Sequence, residues 1–346
     1  MLSVIGFNFI CEAPTGPMTA TYKKIHQNTT TACVEILADY QNEVLECVRK
    51  RNLHLRIQMS ETDIGFHFSL LLCNFTPTNR DLPVTYLLQF ANRLQNIGNI
   101  GSPTLLLIPG LGVSYEIFLP LISMLEDRFH IIAAQVDGFT LGRHTEFTSV
   151  DDQAAQVIRY VNDNLGGKLD IAYGLSLGGK ILSQILERNE ITIDNSIMDA
   201  APLLPLPRWL VGPLKYLQCA NVWSCYHWTE FWRWVFHSHY FDVLLDECRK
   251  VYPFGGSKAV LDGYTSVYTT RLESISGKDI HFWYGTKESF VAKPQIRHLR
   301  AIHPDTKIEI FNGMNHGQLL IDHPEEVADR ITRILYEQKL IDTSID

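Results

Sequence analysis

The stretch "YGLSLGGKI", residues 173–181, fits two different loop motifs. Gly174 to Gly178 reads G-x-S-x-G, the sharp strand-to-helix turn that exposes a serine nucleophile. Gly174, separated by four residues from Gly179-Lys180, also matches most of a phosphate-binding loop. The two motifs predict different chemistry, attack on a carbonyl carbon or the binding of a nucleotide.

The residue after the lysine distinguishes the two motifs. A phosphate-binding loop needs Ser or Thr there, because that hydroxyl coordinates Mg²⁺. Ile181 stands at this position and falls on the apolar stripe of the helix that begins here. In the other motif, the glycines two positions before and after Ser176 allow a strained turn. The N-terminus of the helix that follows favours an oxyanion nearby. Ser176 is therefore our candidate nucleophile.

Strand and helix patterns alternate on both sides of this turn. Apolar runs typical of buried parallel strands occur at 103–110, 130–136, 169–174, 196–200, 279–285 and 307–312. Amphipathic helices lie between them, with Pro120 in a first turn, Ser149 as an N-cap and Pro324 at the start of the last helix. The alternation predicts an α/β fold, a mostly parallel central sheet flanked by helices. Ligands bind beyond the carboxyl ends of such strands, where Ser176 is expected.

One segment, residues 202–275, has no strand pattern and contains five of the six tryptophans. Within it, 229–250 is apolar almost all round at helical spacing, which predicts a helix covered on several sides. We interpret 202–275 as an aromatic-rich helical lid inserted between two parts of an α/β core, 103–201 and 276–346. Ordinary core packing is the alternative.

The first part of the chain, residues 1–102, is less regular and is assigned as an N-terminal extension of unknown role. A helix is predicted at 31–50 and another at 83–101. Two runs at 53–58 and 64–72 have the pattern of a β-hairpin.

Composition excludes several functional classes. The chain of 346 residues is 46% hydrophobic and 20% charged, which is typical of a globular protein. A net charge of −8 gives no electrostatic footprint for nucleic acid. Seven scattered cysteines without C-x-x-C predict free thiols. We expect no transmembrane helix, because no apolar run is long enough, and a cytoplasmic location, because a basic signal-peptide region is lacking.

A serine nucleophile needs a base, and the base needs a carboxylate that orients it. In this type of fold, the acid and then the histidine follow the serine along the chain. His316 lies in a glycine-bounded loop, "FNGMNHGQLL", after the last predicted strand. Glu288 in "WYGTKESF" is our candidate acid, and Asp199 in "SIMDAAP" is the alternative that stays open.

Backbone N–H groups complete the predicted site. One oxyanion donor is expected from Leu177, directly after the serine, and the other from Leu111 in the loop after the first predicted strand. His237 and His239 form an H-x-H pair, but two residues apart on a helix they point to different faces. We therefore expect no metal and no cofactor.

With these motifs in place, residues 103–338 resemble the α/β-hydrolase superfamily, specifically its lidded esterase/lipase-like members. Five motifs occur in the family's order and with its spacing: "IPGLG", "DGFTLG", "GLSLGG", "YGTKE" and "GMNHG". There are two departures. Pro109-Gly110 replaces the usual His-Gly, and Glu288 replaces the usual aspartate.

The resemblance implies that Ser176 is the nucleophile, His316 the base and Glu288 the acid, with Leu111 and Leu177 as oxyanion donors. It implies two-step hydrolysis of a carboxylic ester with an apolar or aromatic acyl group, through an acyl-enzyme. The expected partner is a small-molecule ester or thioester. An acyltransferase or thioesterase with the same residues, or a non-catalytic binding protein with this fold, are the alternatives.

Overall fold

The computed structural model describes residues 54–62, 65–73 and 94–343. The chain divides into one compact unit that ends at Gln95 and a second that begins at Asn96.

The described part of the first unit is a hairpin. Strands β1 (His54–Thr62) and β2 (Gly65–Cys73) pair antiparallel, with Thr62 opposite Gly65. The sequence predicts these two strands, although β1 is longer than the run at 53–58 and β2 is shifted by one residue from the run at 64–72. The helix predicted at 31–50 lies outside the described residues.

The central sheet has seven strands in the order β3-β5-β4-β6-β7-β8-β9. They are β3 (Leu94–Gly98), β4 (Thr104–Ile108), β5 (His130–Ala134), β6 (Lys168–Leu175), β7 (Thr192–Asp199), β8 (Asp279–Gly285) and β9 (Lys307–Phe311). All five pairings from β5 across to β9 are parallel. The predicted α/β fold with a mostly parallel sheet is therefore confirmed.

Helices flank this sheet. They are α1 (Leu119–Leu125), α2 (Val150–Leu165), α3 (Leu177–Arg188), α7 (Ser289–Ile302), α8 (Gln318–Asp322) and α9 (Pro324–Thr343). Three further helices, α4 (Arg208–His227), α5 (Thr229–Phe236) and α6 (His239–Thr269), are inserted between β7 and β8. Pro120 lies in the first turn of α1, as predicted. The Ser149 hydroxyl accepts a hydrogen bond from the backbone N–H of Asp152 and caps α2, also as predicted.

The helix predicted at 83–101 is wrong for its described residues, because Leu94–Gly98 is the strand β3 at one edge of the sheet. Tertiary contacts override the helical pattern here. The Asn96 side chain donates a hydrogen bond to the Tyr160 hydroxyl at 2.5 Å and contacts Nε2 of His130 at 3.0 Å. Gly98 then ends the strand with a φ of 88°.

Aromatic packing fixes the strand that leads to Ser176. Tyr173 on β6 is completely buried and contacts Phe118 and Trp283 edge to face, with ring centroids 5.9 Å apart in both pairs. Edge-to-face pairs of this kind contribute roughly 0.5–1.5 kcal/mol each beyond the burial of their area. Tyr173 thus packs against Phe118, which precedes α1, and against Trp283 on β8 of the same sheet.

The insertion between β7 and β8 is helical, as predicted for 202–275. It consists of α4 (Arg208–His227), α5 (Thr229–Phe236) and α6 (His239–Thr269), the last with a break at Gly256. Its role as a lid stays a prediction. In the part of the chain that the structure describes, no helix is both long and apolar enough to cross a membrane.

The single covered helix predicted at 229–250 is wrong in two respects. His237, with a φ of 44°, separates α5 from α6. One face of α5 is also open to solvent, since Phe231 is 51% and Trp234 is 68% exposed. The apolar composition of α5 therefore does not correspond to a helix that is covered on every side.

Candidate active site

The five predicted site residues border one cavity of about 480 Å³. Leu111 follows β4, Ser176 and Leu177 follow β6, Glu288 follows β8 and His316 follows β9. Because these strands run parallel, their carboxyl ends meet at one edge of the sheet. Side chains that are 205 residues apart in sequence, counted from Leu111 to His316, are thereby brought to a single site.

The turn at Ser176 is strained. Its φ of 53° and ψ of −110° lie outside the regions that non-glycine residues favour. Two backbone hydrogen bonds hold it there. The Ser176 N–H donates to the Asp199 carbonyl at 2.7 Å, and the Lys180 N–H donates to the Ser176 carbonyl at 3.0 Å. Ser176 therefore stands at the N-terminus of α3 with its conformation imposed by the surroundings.

Close packing explains the glycines of the motif. A Cβ atom on Gly174 would lie 2.5 Å from the Gly178 carbonyl carbon, and one on Gly178 would lie 2.0 Å from the Ile108 carbonyl oxygen. A Cβ on Gly179 would lie 2.6 Å from the Cβ of Ala201. The turn can form only because these three positions carry no side chain.

We expect Gly178→Ala to lower the free energy of unfolding by about 3 kcal/mol or more, since backbone rather than a flexible side chain blocks the new methyl group. Gly212→Ala in α4 is the matched control, because its Cβ would meet nothing within 4 Å. That change is expected to stabilise the protein by up to ~1 kcal/mol. Urea unfolding of both variants tests the prediction, and equal effects would contradict it.

Glu288 and His316, the candidate acid and base, are hydrogen-bonded to each other. Nδ1 of His316 lies 2.7 Å from Oε2 of Glu288, and the other oxygen, Oε1, accepts a hydrogen bond from the Gly285 N–H at 3.1 Å. Both carboxylate oxygens are thus fixed. A neutral imidazole in this arrangement carries its proton on Nδ1 and presents a basic Nε2.

The loops that carry this pair pack tightly against each other. The Lys287 N–H donates to the Met314 carbonyl at 3.1 Å. A Cβ on Gly285 would lie 2.2 Å from the same carbonyl oxygen. Gly285 is therefore the residue that lets the loop of Glu288 approach the loop of His316.

Asp199, the other candidate acid, has a different partner. The Tyr173 hydroxyl donates to its Oδ2 at 2.5 Å, and the side chain is buried. Burial raises the pKa of Asp199 to about 6; the Tyr173 hydrogen bond opposes this, and the nearby charge of Glu288 adds to it. Of the two acids, Glu288 is the one that is hydrogen-bonded to His316.

The pKa of His316 is raised above its ordinary value of 6.5. Partial removal of the imidazole from water acts to lower that pKa, although 49% of the side chain stays exposed. The hydrogen bond and the charge of Glu288, with the charge of Asp199, outweigh this effect. Glu288 therefore stabilises the protonated imidazole that general-base catalysis would create.

Lys180, which the phosphate-loop motif would turn toward a ligand, is completely buried. Its ammonium group donates to the carbonyl oxygens of Leu203 at 3.2 Å and Thr270 at 2.8 Å, one at each end of the insertion. Burial lowers the pKa of Lys180 to about 8, against the opposing charge of Glu187. The side chain thus connects α3 to the insertion instead of facing the cavity.

The insertion supplies cavity residues that the sequence did not single out. They are Gln218, Tyr240, Leu244, Tyr264, Val267 and Tyr268. The spacing of Tyr264 and Tyr268 places them on one helical face, which is the signal that could have indicated them. Tyr240 also holds the histidine loop, since its hydroxyl donates to the His316 carbonyl at 2.7 Å. Among the described residues, no group of three or more His, Cys, Asp or Glu side chains could hold a metal ion.

A parallel sheet with a strained serine turn and an Asp/Glu–His pair at its carboxyl edge defines a class of α/β proteins. The model of the alpha/beta hydrolase family matches residues 105–330, and the chain belongs to this family of enzymes. A comparison with curated protein sequences gives no significant match.

Solved structures are similar in fold. An α/β-hydrolase family protein from Desulfitobacterium hafniense has a TM-score of 0.59 at 18% identity, covering 70% of this chain and 99% of its own. A thermophilic esterase from Thermogutta terrifontis has a TM-score of 0.55 at 15% identity, covering 70% and 92%. A structure from a study of carboxylesterases of Nitrososphaera gargenis has a TM-score of 0.52 at 17% identity, covering 71% and 95%.

Proposed function

We propose that Ser176, His316 and Glu288 form a catalytic triad that hydrolyses a neutral carboxylic ester through an acyl-enzyme. The observation that carries the proposal is the 2.7 Å contact of His316 Nδ1 with Glu288 in the cavity that Ser176 borders. A base oriented by a carboxylate beside a serine is the arrangement that activates a hydroxyl for attack.

The chemical steps follow from the positions of the groups. Ser176 Oγ attacks the carbonyl carbon while Nε2 of His316 takes its proton. The protonated His316, stabilised by Glu288, then gives this proton to the leaving alcohol. In the second half, His316 takes a proton from water, the hydroxide attacks the acyl carbon, and Ser176 leaves with the proton returned.

Two backbone N–H groups are proposed to bind the oxyanion, those of Leu111 and Leu177. Leu177 is the first residue of α3, and the partial positive charge of a helix N-terminus favours a negative oxygen there. Leu111 approaches from the opposite loop and borders the same cavity. Both donors are backbone groups, so neither requires a particular side chain.

The lining of the cavity supports an uncharged, largely apolar substrate. Among the described residues, Glu288 and His316 are its only titratable side chains besides three tyrosines, and most of the others are apolar. A volume of about 480 Å³ lies within the range of small-molecule sites.

We propose that the inserted helices cover this cavity as a lid. Thioester hydrolysis or acyl transfer would use the same groups, and the neighbouring esterases favour ester hydrolysis.

A matched pair of p-nitrophenyl esters tests this function. We expect p-nitrophenyl pentanoate to be hydrolysed with a kcat/KM at least about 10² times that of mono-p-nitrophenyl glutarate, whose acyl chain of equal length ends in a carboxylate that the cavity leaves unpaired. Initial rates of p-nitrophenol release measure both. Equal values would contradict the substrate class, and no turnover of any ester would contradict ester hydrolysis.

A further inference from the structure

A buried carboxylate on the insertion contacts the loop that follows β4. Glu247 of α6 is 2% exposed and does not border the cavity. Its Oε2 accepts hydrogen bonds from the backbone N–H of Ser114 at 2.9 Å and from the Ser114 hydroxyl at 2.6 Å. Ser114 lies three residues after Leu111, the proposed oxyanion donor. Glu247 thus accepts from both hydrogen-bond donors of Ser114, the backbone N–H and the hydroxyl.

The contact belongs to a closed ring of hydrogen bonds. The Ser114 hydroxyl oxygen accepts from the Glu116 N–H at 3.1 Å, which caps the short 3-10 helix Tyr115–Phe118. Lys250 of α6 donates to the Glu116 carboxylate at 2.8 Å and to Oε1 of Glu247 at 2.7 Å. Every polar atom of the ring therefore has a partner, and two turns of one helix are joined to the end of the loop.

A second part of α6 packs against the same loop. A Cβ on Gly263 would lie 2.6 Å from Cδ1 of Leu111, so the Leu111 side chain lies close against α6 at this glycine. The loop is thus held at Ser114 by hydrogen bonds and at Leu111 by packing.

Stability alone does not account for a buried charge at this position. Well-packed apolar side chains are often as stabilising as a buried ion pair, or more so. What a fully satisfied polar ring adds is a defined geometry, because each hydrogen bond has a preferred length and direction.

From these contacts we propose that Glu247 is a positioning residue of the oxyanion hole. It fixes the loop from Leu111 to Ser114, so that the Leu111 N–H is aimed at the oxyanion before substrate binds. The proposal rests on the proposed function. It means that the insertion is part of the catalytic geometry in addition to covering the cavity.

The test uses Glu247→Gln, which keeps the shape but replaces one of the two acceptor oxygens by an NH2 donor, so that Ser114 and Lys250 can no longer both donate to this side chain. We expect kcat for p-nitrophenyl pentanoate, measured per active site, to fall by about 10- to 100-fold. This loss does not exceed the one that follows complete removal of an oxyanion donor. KM should stay within about 2-fold of the wild-type value. A trifluoromethyl ketone inhibitor adds to the serine and carries an oxyanion. Its Ki should rise by the same factor as kcat falls, which a merely structural role would not produce.

Asp262→Asn is the matched control, because it removes a carboxylate of the same helix that pairs at the surface with Lys258. It is expected to keep the wild-type kcat and Ki. Should Glu247→Gln not fold, Ser114→Ala removes the two hydrogen bonds of the ring that the hydroxyl makes, and it should lower kcat and weaken the inhibitor in the same proportion. Unchanged kcat per active site in either variant would overturn the proposal. A wild-type protein that turns over no ester would instead overturn the proposed function.

Discussion

Replacing Ser176 by alanine is expected to reduce kcat for ester hydrolysis by about 10⁵- to 10⁶-fold, the loss that follows removal of the nucleophile from a serine triad. The reason is chemical, because no other group at the N-terminus of α3 can form the acyl-enzyme. Wild-type protein should also react covalently with a fluorophosphonate probe, and Ser176→Ala should not. Steady-state kinetics and intact-mass spectrometry measure the two effects.

Ser183→Ala is the matched control for this substitution. Ser183 lies on the same helix, is completely buried, and donates its hydroxyl hydrogen to the Lys180 carbonyl. It should keep full labelling and activity within about 3-fold, because the loss of one such hydrogen bond affects mainly stability. A Ser176→Ala variant that is still labelled would place the reactive group elsewhere. A folded wild type that is never labelled would favour a binding protein.

The second large effect is expected for Glu288→Gln, a loss in kcat of about 10⁴-fold, as for other triads whose acid is changed to its amide. An amide can no longer stabilise the imidazolium and can hold the ring in the wrong tautomer. Asp199→Asn is the matched comparison. Its amide oxygen can still accept the Tyr173 hydrogen bond, so we expect a loss of less than about 10-fold. The reverse order of losses would assign the acid to Asp199.

The same two variants differ in their pH dependence. The base must be neutral, so the acidic limb of kcat/KM follows the pKa of His316 in the free enzyme. Glu288 raises this pKa by its hydrogen bond and charge, and Asp199 raises it by charge alone. Removing either carboxylate lowers the pKa. The limb should therefore move to lower pH, further in Glu288→Gln than in Asp199→Asn, and an unmoved limb in Glu288→Gln would contradict the assignment.

Local chemistry made the central part of the fold predictable. The glycines around Ser176 are required by contacts within a few residues or with the adjacent strand, so they leave a motif in the sequence. The strand β3 left no such signal, because Asn96 is held by Tyr160 and His130, which come from distant elements. The exposed face of α5 was missed for a related reason, since apolar composition does not state which face is covered.

The site divides in the same way. Ser176 and His316 could be found from short glycine-bounded motifs, and Glu288 from its place after a strand. Glu247 could not be found, because its partner Ser114 is 133 residues away and neither residue belongs to a motif. Residues that act through another residue depend on tertiary contacts, and these leave no pattern at short range.

Lys180 has a consequence for how the insertion could have been acquired or exchanged. Its ammonium group binds the carbonyls of both Leu203 and Thr270, so the two ends of the inserted helices lie within a few ångströms of each other. The Leu206 N–H also donates to the Tyr268 carbonyl at 2.9 Å, which joins the two ends directly. Segments whose ends are close together are the ones that tolerate replacement. The insertion therefore leaves and rejoins the core at nearly the same point, and a replacement between these two points is expected to keep the register of the sheet.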